Sequence, residues 1–282
     1  MKSRIAFAFL LPSLLLLGAT PRLNAQQNQT ASKIYRHSYT TAIGINLPRN
    51  EEDYFVYTPP GYDPQSPSKY PVLYLLHGYE QSAGWWQTNG DLQAIMDELI
   101  AQKKARPMIV VMPAGYGDYK FFLGGLREWA SKNRVQENGQ LFAEMLGREI
   151  IPRVESEYKV STKREDQAIA GLSMGGREAL QIALGNFKKF AWVGCFSAAF
   201  PTFPIPFRYR FILPDPAVAN FRLLWVGYGI SDELTRKANA QLVADLNQKG
   251  YEVTSVLTHG GHSEVVWRDD IKRFIPLLFQ PK

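Results

Sequence analysis

Cysteine occurs once in 282 residues, at Cys195. A single thiol excludes an internal disulfide framework and any cysteine-ligated metal cluster. It stands in the apolar stretch WVGCFSAAF, where a buried core thiol is expected. Histidine is scarce too, with four in the chain. No H-E-x-x-H, Walker loop or dinucleotide fingerprint appears, so neither a metal nor an organic cofactor is expected. Large charge blocks are also missing: the formal charge of +6 is too mild to point to nucleic acid. There is no internal repeat, low-complexity linker or break in composition. The chain is 45% apolar and 21% charged, a globular balance with ample material for a core, which rules out disordered and collagen-like classes.

A membrane-spanning helix of about 20 apolar residues is lacking. The N-terminus has instead Lys2 and Arg4, then the shorter apolar run Ile5 to Gly18, then a polar stretch ending RLNA. This layout reads as a signal peptide over residues 1–25, cleaved after Ala25, and predicts an exported protein, periplasmic or extracellular, without a stable membrane anchor. Lys2, Arg4 and Arg22 leave with it, which lowers the charge to +3. Residues 26–33, QQNQTASK, read as a loose leader, and residues 34–282 as one domain.

Along that domain, β-branched and aromatic runs fall at 36–44, 53–58, 70–76, 108–113, 167–171, 191–197, 222–227 and 252–257. Several are apolar throughout, as strands covered on both faces are. Helical periodicity separates them: Leu92, Ile95, Met96, Leu99 and Ile100 share one face of a helix over 89–103. Further helices are expected at 140–158, 176–184, 233–249 and 264–278. Alternating strands and helices predict an α/β fold with a mainly parallel central sheet and helices on both faces.

The stretch IAGLSMGG, between a strand and a helix, has G-x-S-x-G at Gly171, Ser173 and Gly175. A strand-to-helix turn this tight holds the serine in a strained conformation and leaves no room for side chains two residues away. The hydroxyl is thereby exposed at a helix N-terminus, which favours a developing oxyanion. Its base must come from four histidines. His37 lies too early, and His77 ends an apolar strand, where it would orient a loop completing an oxyanion hole. His259 and His262 both lie in THGGHSEVVW, after the last strand, where the chain order Ser, acid, His puts the base. For the acid, Asp232 follows an apolar strand and a glycine-containing turn. Its neighbour Glu233 reads as helix first-turn charge, and Asp215, between two prolines, as a turn residue.

With YLLHGYEQSAGWW, IVVMPAG, AIAGLSMGG, LLWVGYGISDEL and GGHSEVVWRDDIKRFIPLLF in this order, residues 34–282 resemble the putative esterase family of α/β-hydrolases, and within it the feruloyl-esterase-like carbohydrate esterases. The resemblance implies an α/β-hydrolase fold with Ser173 as nucleophile, Asp232 as acid and His262, rather than His259, as base. It also implies oxyanion donors at the backbone N–H groups of Tyr79 and Met174. Two segments depart from the pattern: EQSAGWW after HGY, where the family commonly has small or acidic residues, and 119–139, which matches no motif.

Aromatic residues near these motifs are candidates for lining a substrate pocket: Trp85 and Trp86 after the oxyanion loop, and Phe200, Phe203 and Phe207 in FPTFPIPFRYRF, with His77 beside them. Flat rings suit a phenolic acyl group or a sugar face. The expected partner is therefore a small-molecule or oligosaccharide ester, with hydroxycinnamoyl esters of plant cell-wall carbohydrate ahead of acetyl esters. An exported acyltransferase or peptidase would have the same triad, and a non-catalytic carbohydrate-binding protein could use the same scaffold.

Overall fold

The structure is a computed structural model and describes residues 30–200 and 214–281. The signal-like segment 1–25 lies outside the described residues. Eight strands form one sheet: β1 (Lys33–Thr40), β2 (Glu51–Thr58), β3 (Val72–Leu76), β4 (Ile109–Pro113), β5 (Gln167–Leu172), β6 (Trp192–Phe196), β7 (Leu223–Gly229) and β8 (Thr254–Thr258). Their order is β1-β2-β4-β3-β5-β6-β7-β8. Strand β2 runs antiparallel to both of its neighbours, and every other pairing is parallel.

The helices of the described residues are α1 (Trp85–Thr88), α2 (Leu92–Ala101), α3 (Tyr119–Leu123), α4 (Gly125–Trp129), α5 (Lys132–Met145), α6 (Ile151–Glu157), α7 (Met174–Gly185), α8 (Pro216–Ala219), α9 (Arg236–Gln248) and α10 (Glu264–Phe274). A π turn, Leu146–Ile150, joins α5 to α6. Pro152 lies just after it and has no N–H for the i−4 carbonyl, so the wider turn accommodates the missing bond.

Strand side chains alternate between two cores, as the period of two requires. Val72, Tyr74, Ile109, Val111, Ile169 and Val226 point to one face, where α5, α6, α7 and α9 cover them. Leu73, Leu75, Val110, Ala170 and Trp225 point to the other, under α1, α2 and α10. Both faces are thus dry, which explains why the central strands read as continuous apolar runs.

Element boundaries differ from the sequence pattern where side chains intervene. Strand β1 stops at Thr40 rather than near residue 44, because the Thr41 hydroxyl accepts the N–H groups of Ile43 and Gly44 and turns the chain. The last part of the expected leader is not loose. Thr30 accepts the Gly61 N–H, Ser32 donates to Asp97 at 2.6 Å, and Lys33 already pairs in β1.

Cys195 is fully buried on β6, and burial pushes its thiol up to about 12. Very little thiolate then exists at neutral pH, and no reagent reaches it without opening the sheet. Native protein is expected to resist thiol labelling, and labelling in rising denaturant should follow the circular-dichroism unfolding curve. Rapid labelling of the native protein would place Cys195 elsewhere.

Candidate active site

All four loops of the site leave the sheet at one edge, the C-terminal ends of β3, β5, β7 and β8, where ligands bind in parallel α/β sheets. Ser173 sits between β5 and α7 with φ 51° and ψ −115°. Such a backbone costs about 1–3 kcal/mol and persists only where its surroundings over-determine it. Here the Ser173 N–H donates to Phe196 O at 2.8 Å, and Ser173 O accepts the Ala199 N–H at 2.9 Å. A Cβ on Gly171 would lie 2.5 Å from the Gly175 carbonyl carbon, and one on Gly175 would overlap the His77 carbonyl. The elbow therefore closes only without side chains at both positions.

Asp232 follows β7, and its fully buried carboxylate accepts three hydrogen bonds. Thr235 donates its N–H to Oδ1 at 2.8 Å and its hydroxyl to Oδ2 at 2.6 Å, and His262 Nδ1–H donates to Oδ2 at 2.9 Å. These two Thr235 bonds also delay helix α9, which starts at Arg236 rather than 233. His262 Nε2 is left as the acceptor and takes the Ser173 hydroxyl at 3.0 Å. The three side chains so form one hydrogen-bonded chain. Burial raises the Asp232 carboxyl, yet the hydrogen bonds from His262 and Thr235 outweigh it and hold the group at about 2. A carboxyl depressed below its unfolded value of about 3.9 adds stability above that pH and loses it as pH falls toward 2.

His262 lies between Gly261 and α10, with the Trp267 ring edge-on at 5.0 Å. Its loop is tied to the acid loop, since Ser231 N–H donates to Gly260 O at 2.9 Å and Ile230 N–H to Thr258 O at 2.8 Å. His259 is exposed at the outside of that loop, and His37, on β1, pairs with the hydroxyl of Tyr158 at the end of α6. Asp215 caps α8 by accepting the Ala217 N–H, and Glu233 is exposed.

After β3, His77 is buried and in hydrogen bonds on both ring nitrogens. Nδ1–H donates to Gly78 O at 2.7 Å, and Nε2 accepts the Gly115 N–H at 2.9 Å. Burial lowers its pKa to about 4, which keeps it neutral, and that is the only state able to make both bonds. As a substrate-lining residue it is corrected: it has no exposed surface to offer and orients the loop instead. Gln81 Oε1 holds the Gly78 N–H at 2.7 Å. Gly78 in turn packs on Ser173 Cβ, which brings the following residue, Tyr79, beside the elbow. No hydrogen bond among the described residues takes up the backbone N–H of Tyr79 or of Met174, the first residue of α7.

The segment without a motif covers this region. Phe121 and Val135 pack with Tyr116 and Met174 in a small cluster, and the Tyr79 hydroxyl lies 2.7 Å from Phe121 O and 2.8 Å from Gly125 O. Asn138 on α5 accepts the N–H groups of Gly117 and Asp118 and donates to Glu178, which burial pushes up to about 7. The Asp118 cap and the aromatic spacing 116, 121, 122, 129 were the available sequence signals for these short helices.

The aromatic candidates divide. Trp86 is corrected: it is fully buried in the core under α2 and donates Nε1–H to Leu76 O at 3.1 Å, out of a ligand's reach. Trp85 is partly buried against Trp86 and Trp267, so it supports the His262 wall from behind. Phe200 is buried in the core on the α7 side rather than exposed to a pocket. Phe203 and Phe207 lie outside the described residues.

Sheet order, elbow and hydrogen-bonded Ser–His–Asp chain together define an α/β-hydrolase. The profile of the family described as putative esterase matches residues 47–276, and the chain belongs to that family. It is 30% identical over 230 residues to an endo-1,4-beta-xylanase/feruloyl esterase of Xylanibacter ruminicola, a match covering 80% of this chain and 29% of that protein. It is 30% identical over 128 residues to an acetyl esterase of Caldicellulosiruptor saccharolyticus, covering 45% and 41% of the two chains. The chain thus spans less than half the length of these relatives. A solved CE1 ferulic acid esterase of Anaeromyces mucronatus shares the fold, with a TM-score of 0.75 at 21% identity over 90% of this chain and 93% of that one.

Removing the Trp86 ring should open a cavity and cost about 3–5 kcal/mol of stability, read from the denaturant midpoint. A Trp86→Ala protein as stable as wild type, with weakened substrate binding, would return this residue to the pocket.

Proposed function

We propose that the protein is a serine carboxylic-ester hydrolase that works through an acyl-enzyme, with feruloyl esters of plant cell-wall carbohydrate as its substrates. The observation that carries the reading is the Ser173–His262–Asp232 hydrogen-bond chain, set beside two backbone N–H groups with no partner among the described residues.

In the first step Ser173 Oγ attacks the ester carbonyl carbon while its proton passes to His262 Nε2. The carbonyl electrons move to oxygen, and the N–H groups of Tyr79 and Met174 stabilise that charge, helped by the α7 N-terminus. The imidazolium is held by Asp232, whose low pKa keeps it an anion throughout. When the C–O bond breaks, His262 returns its proton to the leaving alkoxide, and the alcohol departs. Water then repeats the sequence on the acyl-enzyme: His262 takes one proton, hydroxide adds to the carbonyl, and Ser173 leaves reprotonated as the acid is released. No step needs a metal or cofactor.

Relatives favour a feruloyl acyl group. The Xylanibacter protein is named as a feruloyl esterase as well as a xylanase, and the Anaeromyces protein of the same fold is a ferulic acid esterase. Export fits the reading, because the Lys2 and Arg4 charges ahead of the Ile5–Gly18 run would deliver the enzyme to polymers that cannot enter a cell.

Ser173→Ala should fold normally and lose roughly 10⁶ in kcat, as when a triad acts as a unit. His262→Ala should match it, while His259→Ala should cost about tenfold or less. The opposite order of the two histidines in kcat/KM would move the base to His259.

Methyl ferulate should exceed an aryl acetate in kcat/KM by about tenfold or more, after correction for uncatalysed hydrolysis, because burying an aromatic ring is worth roughly 1.5–3 kcal/mol that an acetyl group cannot collect. A preference for acetate would move the assignment to short-chain acyl esters, the class to which the Caldicellulosiruptor acetyl esterase points.

A further inference from the structure

On the far side of the oxyanion loop from His262, the same edge of the sheet has a cleft of about 410 Å³, within the range of roughly 300–1,000 Å³ typical of small-ligand sites. One wall is aromatic. The rings of Tyr116 and Phe122 lie 5.1 Å apart and those of Phe122 and Tyr119 5.6 Å, tilted by 47° and 43°, a wall built from the segment that follows β4. The opposite wall comes from β1 and β2, where Arg36 and Asp53 form an ion pair at 2.6 Å. Gln81 and Ser82, from the loop after β3, also line it. Among the described residues, neither the Tyr119 hydroxyl nor the Ser82 hydroxyl is in a hydrogen bond, and Gln81 spends only its carbonyl, on Gly78. The cleft thus combines an aromatic wall with spare donors and acceptors on that wall and on the loop after β3, while its β1–β2 side has the Arg36–Asp53 pair with Glu52 and Phe55.

That combination matches one class of ligand. A pyranose or furanose ring presents a C–H face that packs on aromatic rings and a girdle of hydroxyls that both donate and accept. A hydroxycinnamoyl group lacks the girdle, and a simple anion would meet Asp53 beside Arg36. We propose that this cleft binds a sugar unit of the substrate's carbohydrate part, away from the scissile ester, so that the enzyme selects esters on oligosaccharides over simple esters. The inference rests on the carbohydrate-ester reading above. Continuity with the site is direct: Gln81, which lines the cleft, holds the Gly78 N–H, and Gly78 packs on Ser173 Cβ. A chain of sugars seated on the tyrosine wall would extend away from the elbow along the sheet edge.

The test compares kcat/KM for a feruloylated arabinoxylo-oligosaccharide with that for methyl ferulate, in wild type and in Tyr119→Ala and Arg36→Ala proteins. Arg36 is an exposed ion-pair partner, so its loss should disturb folding little. Selectivity for the oligosaccharide is expected to fall about tenfold in Tyr119→Ala and about threefold in Arg36→Ala, through KM rather than kcat. An equal loss on both substrates would mean that the cleft takes the acyl ring or only holds the fold, and overturns the proposal; so would unchanged selectivity. Binding is read separately by titrating unesterified arabinoxylo-oligosaccharide into ¹⁵N-labelled Ser173→Ala protein. Amide shifts should gather at residues 81–84 and 116–122, and their absence, or shifts elsewhere, counts against the site. If wild type hydrolyses neither feruloyl substrate while those shifts appear, the feruloyl reading fails and the sugar site stands.

Discussion

The close backbone approach at the β5–α7 turn is the constraint on which the rest of the site depends. Gly171 and Gly175 approach so closely that neither can have a side chain, and Ser173 is forced to φ 51° between them. That strain is held by two backbone hydrogen bonds to the β6 end, at Phe196 and Ala199. These exist only because β5 and β6 pair in parallel register, Leu172 opposite Phe196. The serine's orientation is thus a property of the sheet, and the sheet is stable because helices bury both of its faces.

Around that point the loops are fastened to one another before any ligand arrives. The acid loop donates two backbone bonds to the histidine loop, so the Asp232–His262 distance does not rest on two independent flexible segments. Thr235 saturates the carboxylate from the other side, leaving one orientation for the imidazole and therefore one tautomer. After β3, neutral His77 and Gln81 orient Gly78, while the Tyr79 side chain reaches up to the short helices at 119–129. In the proposed mechanism, dipoles fixed in this way need not reorganise as charge develops.

The short helices also explain how one edge of the sheet can offer two different surfaces. Their inner side closes over Met174 and Tyr79, and Tyr116 and Phe122 pass from that cluster to the wall of the neighbouring cleft. Packing that shields the elbow from water and packing that shapes the cleft are therefore the same set of rings. Substitutions at Tyr116 or Phe122 are expected to couple the two, since residues in direct contact are rarely additive, whereas Tyr119 lines the cleft and is not part of the Met174 cluster.

Local chemistry made much of this legible in the sequence. The eight strand segments, the two-sided burial of the central ones, the glycines around Ser173 and the positions of Asp232 and His262 after strands follow from periodicity and turn geometry, which act over a few residues. Boundaries shifted where a single side chain hydrogen bond competed with the regular pattern, as at Thr41 and Thr235. Only the tertiary structure decided what the aromatic residues do. Trp86 and Trp85 are adjacent and chemically alike, yet one fills the core under α2 while the other braces Trp267. Nothing local separates them, because burial depends on which element arrives from elsewhere in the chain. The same holds for 119–129, whose two five-residue helices are too short to be stable alone and pack against Tyr79 and Met174. It holds equally for the cleft between that segment and β2, whose walls are about sixty residues apart in sequence and meet only because β2 pairs with β4.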